Sequence, residues 1–234
     1  RRALTQAKAA GLPTSLNPQY DSLGLWDGIH SVAPVLDILV ANEEEIMQIA
    51  NSHEKSLEKQ QPQTSSLSRA VARVLSWGCG CVVATLGARG ATAFFRTNEP
   101  LPSSSQCSSP GGGGYRRRGQ EHRSTRTVSQ QGGLVMVELE VVGRRLDRAI
   151  VDTTGAGDAF TGAFIGALHV HAPSSNTNTD STTDAANKDK DLIPQLPFSE
   201  TQVTAALQAG CEAGAFACTC LGGSTVPDLS AHTE

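Results

Sequence analysis

Seven consecutive residues carry the densest chemistry in the chain. Asp152-Thr153-Thr154-Gly155-Ala156-Gly157-Asp158 runs into Ala159-Phe160-Thr161-Gly162. A strand ending at Val151, two glycines and a following apolar stretch predict a strand-to-helix turn. Its N–H groups point into one concavity, and at the start of a helix they attract an anion. Asp158 falls in the first turn of that helix. Beside a bound phosphate, a carboxylate there is placed to accept the proton of an attacking hydroxyl. Further along, Gly162 and Gly166 with Ala159, Ala163 and Ala167 give the helix a small-residue face suited to close packing.

Two other segments have chemistry of their own. Asn42-Glu43-Glu44-Glu45 follows a buried apolar strand. By itself this is an Asn N-cap ahead of an acidic first turn, where the helix dipole favours carboxylates. Thr85-Leu86-Gly87-Ala88-Arg89-Gly90 closes a second apolar strand. Its glycines allow a tight turn or a close approach of main chain to a phosphate, and Thr85 adds a hydroxyl.

The elements that must position these residues alternate between strand and helix. Arg2–Ala10 predicts a helix ended by Gly11, and Thr14–Asn17 a short strand. Val35–Val40 is nearly continuous apolar strand, as a sheet covered on both faces requires. Glu43–Ala50 opens a helix, Leu67–Trp77 forms another, and Cys81–Leu86 and Ala91–Phe95 are strands. Leu134–Val142 predicts a long strand of mixed polarity at a sheet edge. Helices follow from Gly157 to His169 and from Ser199 to Cys220, the latter opened by the Ser199/Gln202 spacing of a capping box. This alternation predicts an α/β layer fold with a mainly parallel sheet, ligand binding lying beyond the carboxyl ends of the strands. Residues 98–133 and 172–197 interrupt the pattern with Ser, Gly, Asn and Asp tracts and the triplet Arg116-Arg117-Arg118. They are expected to be surface insertions, as is the shorter stretch Ser52–Ser66.

The heptad matches every specified position of Asp-Thr-x-Gly-Ala-Gly-Asp, and so resembles the second signature of the PfkB, or ribokinase-like, family of sugar and nucleoside kinases. Asn42 and Glu45 are similar to the family's Asn-x-x-Glu motif, and Thr85–Gly90 to its nucleotide-binding turn. Ala213–Pro227 looks like its Ala-rich helix and following loop. The resemblance implies a three-layer α/β/α ribokinase-like domain over residues 1–234, with the front of the fold and its strand lid absent. It implies ATP and Mg2+ as cofactors. Asp158 would be the general base, and the amides of Gly155, Ala156 and Gly157 an anion hole. Asn42 would lie near the phosphates and Glu45 at the water shell of Mg2+, while Thr85, Leu86, Gly87, Ala88, Arg89 and Gly90 would cradle the nucleotide. Cys211 stands where ribokinases often carry an Asn beside the adenine. A monovalent cation such as K+ would be held by Asp152 and Thr154, with carbonyls of Ala217, Cys220 and Gly222. Asn17-Pro18-Gln19-Tyr20-Asp21 looks like the stretch after a mid-domain strand in the family's sugar kinases, where Asn17 would approach substrate or simply turn the chain.

Three functional readings stay open. One is phosphoryl transfer from Mg-ATP to a sugar hydroxyl. Another is the same transfer to a nucleoside. A third is nucleotide binding without catalysis. The resemblance also implies that a homodimer is open to the full-length protein, since relatives often dimerise through the lid.

Composition excludes other classes. The 234 residues carry 19 Lys and Arg against 23 Asp and Glu, a net charge of −4. That leaves no overall cationic surface for nucleic acid or an anionic membrane. No apolar run reaches the ~20 residues of a membrane helix. The six cysteines, Cys79, Cys81, Cys107, Cys211, Cys218 and Cys220, contain no C-x-x-C pair. They are expected to be reduced thiols of a cytoplasmic protein. His169 and His171 read as surface residues, and Trp26 and Trp77 as packing residues.

Overall fold

The computed structural model describes residues 1–56, 66–101, 123–143, 148–170 and 196–222. Helix α1 (Arg2–Ala9) leads to a two-residue strand, β1 (Ser15–Leu16), and a single helical turn, α2 (Ile29–Val32). Then come β2 (Ile38–Asn42), α3 (Glu43–Ser56), α4 (Leu67–Ser76), β3 (Cys81–Thr85) and β4 (Gly90–Arg96). β5 (Ser124–Gln131), β6 (Leu134–Val142), α5 (Ala156–Val170) and α6 (Glu200–Ala217) complete the order. The strands form one sheet in the order β1-β2-β3-β4-β6-β5. β1, β2 and β3 are mutually parallel, whereas β4, β6 and β5 continue the sheet in antiparallel pairings. The sheet is thus mixed, with its parallel part confined to the end that carries the 42–45 and 85–90 segments.

The apolar run in β2 explains the layering. Successive side chains point to opposite faces of a strand. Leu39 and Ala41 therefore enter one core, with Ile46 and Ile49 of α3 and Val71, Val74 and Leu75 of α4. Ile38 and Val40 enter the other, with Phe160, Phe164 and Leu168 of α5 and Val203 and Leu207 of α6. Each large side chain taken fully out of water on either face contributes about 1.5–3 kcal/mol at most. Asp37, at the entry to β2, is buried but satisfied. It accepts the Thr14 N–H (2.8 Å) and hydroxyl (2.9 Å) and pairs with Lys8 (2.9 Å), which ties α1 and the approach to β1 onto the sheet.

α5 and α6 pack closely, but not through the face expected from the sequence. Gly162 and Gly166 are exposed, and a Cβ added at either would meet open space. The close approach comes from the other helix: a Cβ at Gly210 would stand 2.7 Å from the Phe160 ring, and one at Gly214 3.1 Å from the Ala156 carbonyl oxygen. A small-residue stripe packs only where a partner helix presents bulk to it, and here Phe160 presents that bulk to α6. The capping box is present as expected. The Ser199 hydroxyl accepts the Gln202 N–H, and the Gln202 side chain accepts the Ser199 N–H (2.8 Å).

Four further expectations are corrected. The stretch 98–133 is not wholly loop, because Ser124–Gln131 is β5, paired along its length with β6. β6 is therefore an inner strand. Its Val137, Leu139 and Val141 face the α5/α6 core, while Glu138 and Glu140 alternate with them. Glu140 accepts the Thr125 hydroxyl of β5 (3.1 Å), and burial, with Glu140 nearby, pushes the Glu138 carboxyl above its ordinary range. Residues 52–56 continue α3 rather than opening a loop. No strand runs directly into the heptad, because 149–153 have no regular structure. Arg116–Arg118, Cys107, His171, Pro227 and nearly all of 172–197 lie outside the described residues. Cys79, Cys81 and Cys211 are buried free thiols, and Trp26 is in the core beside α3 and α4. Among the described residues, no helix is long and apolar enough to cross a membrane.

Candidate active site

Beyond the carboxyl ends of the parallel strands lies a cleft of about 480 Å3. Asn42 at the end of β2 and Thr85 at the end of β3 are partners in the ladder, so the pairing itself sets them side by side. The start of α5 faces them across the cleft. The lining includes Asn42, Glu45 and Thr85 from one side, and Thr153, Gly155, Gly157, Asp158 and Thr161 from the other. Asn17, Gln19 and Tyr20, from the loop after β1, and Val40 and Ala41 of β2 complete it. A fold of parallel strands with helices beyond them places a ligand at this position. A second cavity, about 470 Å3, lies alongside with Tyr20 in common. Asp21 there accepts the N–H groups of Leu23, Leu25 and Trp26. Those donors, Trp26 first, hold its carboxyl below the ordinary value, and this cavity contains no heptad residue.

The Asn42 wall is locked by its own side chains. The Asn42 N–H donates to the Glu45 carboxylate (3.0 Å) and the Glu45 N–H to the Asn42 carboxamide oxygen (2.8 Å). This is a reciprocal cap on α3. Arg89 pairs with Glu43 at the head of the same helix. The turn carrying Arg89 is equally closed: the Leu86 N–H donates to the Gly90 carbonyl (2.8 Å) and the Gly143 N–H to that of Arg89 (3.0 Å). Gly90 has φ +106°, and a Cβ there would stand 2.1 Å from the Val141 carbonyl oxygen, so the turn requires glycine. Of the six residues of this turn, Thr85 lines the cleft, whereas Leu86, Gly87, Ala88, Arg89 and Gly90 brace it from beside.

The heptad wall is open. Gly155 has φ +78°, which suits glycine, and it begins α5 with no side chain to cap the helix. The Ala156 N–H folds back on the Thr153 carbonyl (3.2 Å), so it is not free for an anion as expected. The N–H groups of Gly155, Gly157 and Asp158 have no acceptor among the described residues. Asp158 is exposed, with the Gln19 side-chain amide donating to its Oδ1 (3.1 Å).

The remaining predicted residues fall into two places. Asp152 accepts the N–H groups of Thr154 (2.9 Å) and Gly222 (3.2 Å). These donors, Thr154 first, hold its carboxyl below the ordinary range. The N–H groups of Val151 (2.8 Å) and Asp152 (3.3 Å) both donate to the Cys218 carbonyl, so the end of α6 lies against the start of the heptad. The Ala217 carbonyl is taken by the Cys220 N–H (3.1 Å). Cys211, by contrast, is buried in the α5/α6 core and is not among the cleft residues. Burial pushes its thiol up to about 11. Gln19, Thr153 and Thr161 were not singled out from the sequence as site residues. The Asn-Pro turn after β1 was the available signal for the first, and the hydroxyls inside and just after the heptad were the signal for the others.

No protein-family model matches the sequence, and neither does any curated protein. Solved structures do. A double mutant of fructokinase from Vibrio cholerae O395, bound to fructose, ADP and potassium, is 19% identical with a TM-score of 0.55; the match covers 96% of this chain and 50% of that one. Aminoimidazole riboside kinase from Salmonella enterica, complexed with aminoimidazole riboside and an ATP analog, is 17% identical with a TM-score of 0.56, covering 96% of this chain and 52% of that one. At such identities the likeness is one of fold. The chain has the ribokinase-like α/β/α fold and spans about half the length of the kinases it matches.

Proposed function

We propose that this chain carries the phosphoryl-transfer half of an ATP-dependent sugar kinase. The observation that supports this most directly is the shared cleft. Three amides at the start of α5 lack acceptors among the described residues, and Asp158 stands among them opposite Asn42, Glu45 and Thr85. In this reading the acceptor hydroxyl gives its proton to Asp158 as its oxygen attacks the γ-phosphorus. A new P–O bond forms, the bond to the β-phosphate oxygen breaks, and ADP leaves. The amides of Gly155, Gly157 and Asp158 hold the charge on the equatorial oxygens. Thr85 and the braced 85–90 turn form the nucleotide side.

The donor sets fit the implied ions. Mg2+ keeps most of its waters and needs only one or two carboxylates beside the phosphates. Glu45 in the cleft is such a carboxylate, with Asn42 next to it. Among the described residues no cluster of three or more His, Cys, Asp or Glu could hold a metal unaided, and this reading needs none. The Asp152 carboxylate, the Thr154 hydroxyl and the main-chain carbonyls at the α6 end are oxygen donors, which suit K+. When bound, Mg2+ would supply charge neutralisation on the phosphates.

Transfer to a nucleoside is the second reading, favoured by the likeness to the riboside kinase. Calorimetry with Mg-ATP, followed by ADP release over fructose, ribose, aminoimidazole riboside and adenosine, tests all readings. Acceptor-dependent release with a sugar supports the first reading, and release with a riboside alone supports the second. Binding without release on any acceptor leaves a nucleotide-binding chain and overturns both.

A further inference from the structure

We propose that Gln19 is a positioning residue for Asp158, an inference that rests on the phosphotransfer reading above. The two lie 139 positions apart in the chain, and the loop after β1 is built to join them. The Asn17 amide donates to the Thr161 hydroxyl (2.9 Å), which donates in turn to the Gly157 carbonyl (2.9 Å). The loop is thereby tied to the first turns of α5, which carry Asp158. The Asn17 carboxamide oxygen also accepts the Gln19 N–H (3.2 Å). Gln19 is left at φ +58°, a conformation that residues other than glycine seldom adopt. From there its Nε2 reaches Asp158 Oδ1 at 3.1 Å.

The chemical consequence lies in the other oxygen. A surface carboxylate turns freely about its last bond and presents either oxygen in any direction. Holding Oδ1 with a neutral donor disfavours that rotation and leaves Oδ2, on a residue that lines the cleft, as the proton acceptor. Transfer depends on such alignment, since about 1 Å of misplacement costs on the order of a hundredfold in rate. A charged donor would do this too, but it would hold the carboxylate as an ion pair and weaken it as a base. An amide orients with less of that cost.

The test uses the full 234-residue chain. In 15N-labelled protein, the Gln19 side-chain amide resonances are expected to move in Asp158→Asn. They are expected to stay in place in Glu200→Gln, which changes a carboxylate paired with Arg126 instead. With an acceptor from the screen above, Gln19→Ala and Gln19→Gly are both expected to lower kcat by about tenfold to a hundredfold, with KM for Mg-ATP within about twofold. Glycine accepts the positive φ, so a loss shared by both variants is loss of the donor and not of the loop. Gln19→Asn, whose amide is one carbon shorter, is expected to fall between wild type and Gln19→Gly. Gln19 resonances that ignore Asp158→Asn, or an unchanged kcat in Gln19→Gly while Asp158→Asn is inactive, overturn this proposal alone. Full turnover in Asp158→Asn, or none in the wild type, overturns the phosphotransfer reading and the role of Gln19 with it.

Discussion

Two helices begin on the same cleft, and they begin differently. α3 is closed by its own residues: Asn42 and Glu45 fill each other's backbone donors, and Arg89 covers the acidic first turn. α5 starts from Gly155, which has no side chain to offer, and the amides of Gly155, Gly157 and Asp158 are left without acceptors among the described residues. The first few N–H groups of any helix lack partners within the helix. What differs is whether the chain supplies them from its own sequence or leaves them for an outside anion. α6, away from the cleft, follows α3, with Ser199 and Gln202 closing its start. The contrast separates a wall that holds shape from a wall that, under the proposed function, receives a ligand, and each can be attacked independently.

The largest expected effect is on the open wall. Asp158→Asn keeps the size of the side chain and removes its ability to take a proton. Turnover of the active protein is expected to fall by about a hundredfold to ten-thousandfold, the usual contribution of a general base, while calorimetry finds Mg-ATP binding nearly unchanged. An equal loss of binding would mean that Asp158 belongs to the shape-holding class and would erase the contrast.

Next comes Gly155→Ala. A side chain at φ +78° costs about 1–2 kcal/mol. In a domain of this size that lowers the melting temperature by roughly 2–4 °C for each kcal/mol. The amides re-aim as the backbone relaxes, so affinity for Mg-ATP is expected to fall as well. The matching change on the closed wall, Asn42→Ala, removes a cap worth about 1 kcal/mol. Its effect is expected in thermal melts first. Glu45→Gln sharpens the distinction. Glutamine can still close the capping box, so the melt should hold, while Mg2+-dependent nucleotide binding weakens under the proposed function.

What is legible in the sequence is what is local. The heptad, the capping box at Ser199 and the doubly buried run of β2 are all contiguous, and each was legible from a short window. β5 was not. In Ser124–Gln131 only Val128 is a large apolar residue, because an edge strand needs burial on one side alone. Its identity comes from its ladder to β6, which no composition reveals. The packing face of α5 is hidden from the sequence for a related reason. Small residues mark a helix that can be approached, but Phe160 and Gly210 decide where the approach happens. The contact between Gln19 and Asp158 joins residues 139 positions apart and depends on a backbone angle that no side-chain pattern encodes. Cys211 lay at the expected place along the chain, yet α6 turns it into the core and away from the cleft.

The smallest effect tests whether the closed wall is closed by its ion pair or by its hydrogen-bonded cap. Arg89 and Glu43 have side chains 64% and 35% exposed. Exposed pairs of this kind contribute about 0–1 kcal/mol and are screened by salt. Arg89→Ala is therefore expected to lower stability by less than about 1 kcal/mol, and a double-mutant cycle with Glu43→Gln should return a coupling that shrinks between low and high salt. The cap should not respond in this way, because the Asn42 and Glu45 bonds run to backbone N–H groups within one turn. If the Arg89 cycle instead gave a coupling larger than the Asn42→Ala loss, the turn at 85–90 would be held by charge. The Asn42 wall would then be as responsive to an incoming phosphate as the wall opposite, since a phosphate would compete directly for Arg89.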